Sequence, residues 1–121
     1  MENLFEELLE CLQENGYELS AIENVYGSDY RTTLENFIEV AKNTNYDSGY
    51  GWQEVASDLC IKGKDFLITR IEYDGSERFQ FYSLKVPEET EKISKLANSN
   101  SGWLSLKEIN DRVYEDDEDE T

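Results

Sequence analysis

Residues 58–86 read DLCIKGKDFLITRIEYDGSERFQFYSLKV, and the interpretation of this stretch decides the fold. It holds three runs rich in β-branched and aromatic residues, 57–62, 65–73 and 78–85, separated by Gly63-Lys64-Asp65 and by Asp74-Gly75. Asp-Gly between two such runs is the strongest short hairpin signal, because both turn positions need positive φ. Alternation sets Phe66, Ile68 and Arg70 opposite in sense to Leu67, Thr69 and Ile71, and puts Phe79 and Phe81 on one face with Gln80 and Tyr82 on the other. The stretch therefore predicts an antiparallel meander.

Upstream, helical spacing takes over. In NLFEELLECLQEN, residues 3–15, Leu4, Leu8, Cys11 and Leu12 share one face, widened by Phe5 and Leu9, and Gly16 supplies a stop. Residues 33–43 place Leu34, Phe37, Ile38 and Ala41 on one face behind a capping box at Thr32-x-x-Glu35. Between these helices, Val25 and Tyr26 mark a short extended segment before a Gly27-Ser28-Asp29 turn. Downstream, Pro87 suits the first turn of a third helix bearing Ile93, Leu96 and Ala97, and Ser105-x-x-Glu108 is a capping box ahead of Ile109 and Val113. The expected fold class is α+β: a three- or four-stranded antiparallel meander with two to four helices packed mainly on one face. One domain spans 1–114, and 115–121, six of whose residues are consecutive acids, is a solvated tail.

Charge narrows the function classes. The 121 residues carry 28 Asp+Glu against 11 Lys+Arg and no His, a formal charge of −17. Removing the six tail acids leaves 22 acids against 11 bases, so a balance of −11 belongs to the body of the chain. Such a field repels DNA, RNA and anionic membranes and favours a basic protein partner. Without imidazole there is no His-based nucleophile pair or metal triad, and no catalytic residue, metal ligand or cofactor is expected. Gly49-x-Gly51 lacks the third glycine and the Lys-Ser/Thr of a phosphate loop, and 74–77 lacks the later Glu of a calcium loop. Cys11 and Cys60 stand apart without a metal or redox spacing, Cys60 within a strand-like run, which fits a reduced interior. No basic, apolar leader is visible and no run of ~18 apolar residues occurs, so a cytoplasmic monomer or homodimer is expected.

Two features remain for partner contact. On the first helix Glu6, Glu10 and Glu14 are spaced four apart, where like charges repel by a few tenths of a kcal/mol per pair. Each step rises about 6 Å, close to the interval of every second phosphate along a strand at ~3.4 Å per nucleotide. A rigid acidic helix can thus imitate a phosphate ladder. In NYDSGYGWQEV, residues 45–55, Tyr46, Tyr50 and Trp52 surround Gly49 and Gly51. Either Trp52 and Tyr46 plug the seam between sheet and helices, or the rings stand outside between Asp47 and Glu54 and meet arginines of a partner. The partner-binding candidates are Glu6, Glu10, Glu14, Asp47, Tyr50, Trp52, Glu54 and, at the hairpin tip, Asp74 and Glu77.

Residues 45–84 resemble a family of short acidic proteins from phages, plasmids and integrated elements of low-GC Gram-positive bacteria. The resemblance is carried by Tyr46, Asp47, Gly49, Tyr50, Gly51, Glu54 and Val55, by Gly63-Lys64-Asp65, and by Arg70 with the run Glu72-Tyr73-Asp74-Gly75-Ser76-Glu77. It covers about a third of the chain, and the family has tryptophans near Phe66, Leu67, Phe79 and Phe81. It brings no catalytic residues. It implies a mobile-element setting in a bacterial host, where small acidic proteins inhibit nucleic-acid-targeting defences. The leading expectation is a non-enzymatic mimic of nucleic acid that blocks the basic groove of a defence nuclease, above all a CRISPR–Cas effector. The alternatives are an acidic adaptor without mimicry and, third, a carboxylate-based metal-dependent enzyme.

Overall fold

The computed structural model describes residues 1–49, 51–99 and 102–111, so the tail 115–121, Val113 and Tyr50 lie outside the described residues. The chain divides into two compact units, Met1–Val86 and Pro87–Thr121; the expected span 1–114 takes in parts of both.

In the first unit β1 (Glu2–Asn3) leads into α1 (Leu4–Glu14), followed by a 3-10 turn (Leu19–Ala21), β2 (Ile22–Tyr26), β3 (Arg31–Thr32) and α2 (Leu34–Lys42). Then come β4 (Asn45–Tyr46), β5 (Cys60–Gly63), β6 (Phe66–Tyr73) and β7 (Ser76–Ser83). The α+β class holds, with more strands than expected. Five strands form one antiparallel sheet in the order β3-β2-β5-β6-β7, and β1 pairs with β4 apart from it. The extended segment around Val25 is thus a full strand, paired on both sides by β3 and β5.

The β6–β7 hairpin closes on two residues: Tyr73 pairs with Ser76, and Asp74 and Gly75 both take positive φ, 54° and 84°. That is the primed turn whose twist matches the strands. Its tightness starts β7 at Ser76, two residues before the expected 78. The sheet's inner face carries Ile61, Phe66, Ile68 and Phe79, all buried. Leu4, Leu8 and Leu12 of α1 and Phe37 and Ala41 of α2 close the same core. Gly63 is needed at the β5–β6 corner because a Cβ there would run into the Phe66 ring and sit 2.8 Å from the Ala21 carbonyl oxygen.

The caps fix the helix ends. Asn3 Oδ1 accepts from the Glu6 N–H (3.1 Å), and at the far end Tyr17 N–H reaches the Leu12 carbonyl (2.9 Å) while Gly16 N–H reaches Gln13 (3.1 Å), a Schellman closure. For α2 the cap is Thr33, whose Oγ1 accepts from Asn36 N–H (3.1 Å), one residue beyond the expected Thr32, which belongs to β3.

In the second unit the capping box forms as expected: Glu108 N–H donates to Ser105 Oγ (3.1 Å), Ser105 N–H donates to Glu108 Oε1 (3.0 Å), and residues 106–111 are helical. The helix expected after Pro87 does not form; residues 87–99 are irregular. Asn110 explains why. Its Oδ1 accepts from the Ser94 and Lys95 N–H groups (2.8 and 3.0 Å) and its Nδ2 donates to the Lys95 carbonyl (3.1 Å), so these backbone groups are satisfied outside any helix. Ile93 and Leu96 are left exposed, 42% and 77%, and gain no burial to offset the cost of ordering a helix.

Candidate functional site

The site grows from a charge in the sheet. Alternation along β6 carries Arg70 onto the face that holds Phe66 and Ile68, and its side chain is only 4% exposed. A guanidinium so placed must find carboxylates. Glu7 of α1 supplies one, Oε2 at 3.2 Å from Nη1, and Glu77 of β7 supplies the other, Oε1 at 2.9 Å from Nη2. Tyr46 of β4 joins them: its hydroxyl donates to Glu7 and accepts from Arg70 Nη2 (3.0 Å). The Phe79 ring lies 4.5 Å from the guanidinium carbon. Arg70 Nε has no hydrogen-bond partner among the described residues, a cost the other bonds must offset.

These partners tune one another. Burial alone would lift the Glu77 carboxyl, but the backbone N–H of Glu54 and the Arg70 guanidinium outweigh it and hold the group below its ordinary range. The Tyr46 phenol is raised by burial and by its bond to Glu7, and so stays neutral. Arg70 is itself raised; burial opposes its charge, and the bonds to Tyr46 and Glu77 restore it. Cys11 beside them is pushed up to about 11 by burial and by Glu14 and Glu7, which leaves it a thiol at neutral pH and a poor nucleophile.

The network fastens the loop after β4. Glu77 Oε2 accepts from Glu54 N–H (2.7 Å), Oε1 accepts from Val55 N–H (3.2 Å), and Glu77 N–H donates to the Ser48 carbonyl (3.2 Å). Both ends of the loop are therefore held on one residue of β7. Asp47 tightens its entry: its N–H donates to Glu54 Oε2 (3.3 Å) and its Oδ1 accepts from Gly49 N–H (3.0 Å). Between the anchors Trp52 stands 92% exposed, whereas Tyr46 is 2% exposed. The two readings of this stretch are thus divided between its rings: Tyr46 is the plug, and Trp52 is on the surface.

Beside the loop a groove of about 320 Å³ runs between α1 and β7, lined by Glu2, Glu7, Glu10, Glu14, Tyr46, Ser48, Glu77 and Arg78 among others. Glu2, Glu10 and Glu14 are exposed around it; Glu6 is exposed on α1 but does not line it. Asp74 sits exposed at the hairpin turn. Glu77 requires a correction. It is 5% exposed and engaged on both carboxylate oxygens, so it positions the loop and does not face a partner; its inward direction follows from a strand that starts at Ser76. Glu7 and Arg70 were missed as site residues. The signal for Arg70 was its place in the alternation; Glu7 had none beyond adjacency to Leu4 and Leu8. Among the described residues no group of three or more Cys, Asp or Glu side chains is placed to hold a metal ion, and no helix is long and apolar enough to cross a membrane.

Comparison with protein-family models, with curated proteins and with solved structures gives no match.

Proposed function

We propose that this chain is a non-enzymatic binding protein whose acidic, tryptophan-bearing face enters a basic, polyanion-binding groove of another protein and excludes nucleic acid from it. The observation that carries the reading is the groove itself: Glu2, Glu10 and Glu14 are exposed along it, next to a loop that Glu77 clamps so that Trp52 projects. Carboxylates about 6 Å apart along a helix match alternate phosphates in spacing and sign. The anchored ends of the loop reduce the backbone freedom that is lost when Trp52 docks. Met1–Val86 carries 17 Asp+Glu against 7 Lys+Arg, a balance of −10 that steers it toward cationic surfaces. The resemblance of residues 45–84 to mobile-element proteins directs the choice of partner to a defence nuclease of the bacterial host, with a CRISPR–Cas effector the first to test.

The exposed Trp52 equally serves an adaptor that binds a partner unrelated to nucleic acid. Salt separates the two. The full chain, immobilised, is used to capture proteins from nuclease-treated bacterial lysate at rising salt, and captured proteins are assayed for nucleic-acid binding. A mimic retains a nucleic-acid-binding protein at low salt, releases it as the charges are screened, and competes with its DNA or RNA. Salt-indifferent capture of a protein without nucleic-acid affinity supports the adaptor, and a reaction that starts on adding a divalent metal supports an enzyme.

A further inference from the structure

A second cavity lies at the other end of the strand order, between the β2–β3 turn and the segment entering β5. It measures about 200 Å³, below the ~300 Å³ at which drug-sized ligand pockets begin, and so is scaled to a single side chain. Val25 and Leu59 contribute apolar surface, Tyr26 and Tyr30 contribute rings, and Asp29 and Asp58 contribute carboxylates. Tyr30 is 81% exposed although it lines the cavity, an aromatic ring left at the surface without a packing role. The frame around it is set. Gly27 N–H closes the turn on the Tyr30 carbonyl (2.9 Å), and Ser28 N–H donates to Asp58 Oδ2 (2.8 Å), which ties the turn to the approach to β5. The bond from Ser28 holds the Asp58 carboxyl below its ordinary range.

This combination selects its occupant by chemistry. Two carboxylates repel anions, and a ligand without hydrogen-bond donors would cover them without compensation. A cation pairs with them and lies against the ring faces. A lining that is part apolar and part carboxylate fits a methylene stem ending in a charged head. Between the two candidates, a guanidinium stacks on tyrosine and pairs with carboxylate in a plane, which an ammonium does not. We propose that the cavity formed by Tyr26, Tyr30, Asp29 and Asp58 receives an arginine side chain of the basic partner.

The occupant's source rests on the function proposed above, but binding at the cavity is measurable without any partner. The full chain, labelled with ¹⁵N, is titrated with Nα-acetyl-arginine N-methylamide and, separately, with its neutral citrulline counterpart. Saturable shifts are expected at the amides of Gly27, Ser28, Tyr30 and Leu59 with the arginine ligand, and none with citrulline. Tyr30→Ala, at an exposed position, should weaken arginine binding by about two- to fivefold, the share of a cation–π contact at an accessible site, while leaving the rest of the spectrum in place. Absence of saturation, shifts centred on the α1 groove, equal binding of citrulline, or an unchanged affinity in Tyr30→Ala each overturns the proposal. If arginine saturates the cavity but the chain displaces no nucleic acid from any partner, the cavity stands and the mimicry falls; displacement with no arginine binding gives the reverse.

Discussion

Replacing Arg70 with Met keeps the stem in the core and removes the charge that Glu7 and Glu77 were folded around. Those side chains are 14% and 5% exposed, so neither carboxylate regains full hydration. Breaking a buried pair by deleting one partner costs about 3–5 kcal/mol, because the orphaned charge stays inside. Here both carboxylates lose the guanidinium and repel each other, but Glu77 keeps the Glu54 and Val55 N–H groups and Glu7 keeps the Tyr46 hydroxyl and the Phe79 N–H (2.9 Å), which favours the lower part of that range. Against a total stability of about 5–15 kcal/mol for a domain, the loss is large enough to read directly from urea unfolding at neutral pH. Adding Glu7→Gln to Arg70→Met removes one stranded charge, so the two changes together should cost less than their sum by at least ~1 kcal/mol. A loss under about 1 kcal/mol for Arg70→Met alone, or strict additivity in the cycle, would refute the idea that this guanidinium holds helix, sheet and loop together.

Four further outcomes follow from the same geometry. Glu77→Gln loses charge-assisted bonds worth about 1.5–3 kcal/mol and loosens the loop, so in a Trp103→Phe background, where Trp52 is the remaining indole, fluorescence anisotropy of Trp52 should fall. Acid titration gives the signed counterpart: the folded Glu77 carboxyl lies below the ordinary value of 4.5, so its contribution is complete above that value and is lost as pH falls through the folded one. Relief of the −17 charge acts in the opposite direction, so the difference in unfolding midpoint between wild type and Glu77→Gln should shrink below pH ~4.5. Gly63→Ala should cost about 1–3 kcal/mol by overpacking against Phe66 and Ala21, read as a lowered thermal midpoint, whereas Trp52→Ala should leave that midpoint within the small range of surface changes.

What was legible in the sequence follows the range of the interactions involved. The β5–β6–β7 meander is written locally, in period-two alternation and an Asp-Gly pair, and it forms. So are α1 and α2, in their apolar spacing, although the cap of α2 lies one residue beyond the expected Thr32. The two-residue strands β1, β3 and β4 carry no periodicity; β1 and β4 meet through the pairings of Glu2 with Tyr46 and Asn3 with Asn45, and Asn3 adds side-chain bonds to Lys42 and Asn45 across 39 and 42 residues. The spacing of Ile93, Leu96 and Ala97 misled because Asn110, distant in sequence, took the backbone groups a helix needed. Glu77 shows how a small boundary shift changes a role. A strand beginning at 78 leaves it in the turn facing solvent; a two-residue turn moves the start to 76 and points its carboxylate at Arg70. The exposed glutamates of α1 were readable; the half-buried Glu7 was not, since what distinguishes it lies across the core on β6.

The claim on which the functional reading stands is that exposed carboxylates along α1, beside an exposed tryptophan on an anchored loop, compete with nucleic acid for a basic cleft. The direct measurement is displacement of labelled DNA or RNA from a captured partner by the folded chain, compared with Glu6→Gln/Glu10→Gln/Glu14→Gln at equal concentration and at two salt levels. Displacement by the wild type that weakens as salt rises, and is lost in the triple variant, is the predicted result. Equal displacement by the neutralised helix, or none by the wild type even at low salt, would contradict it.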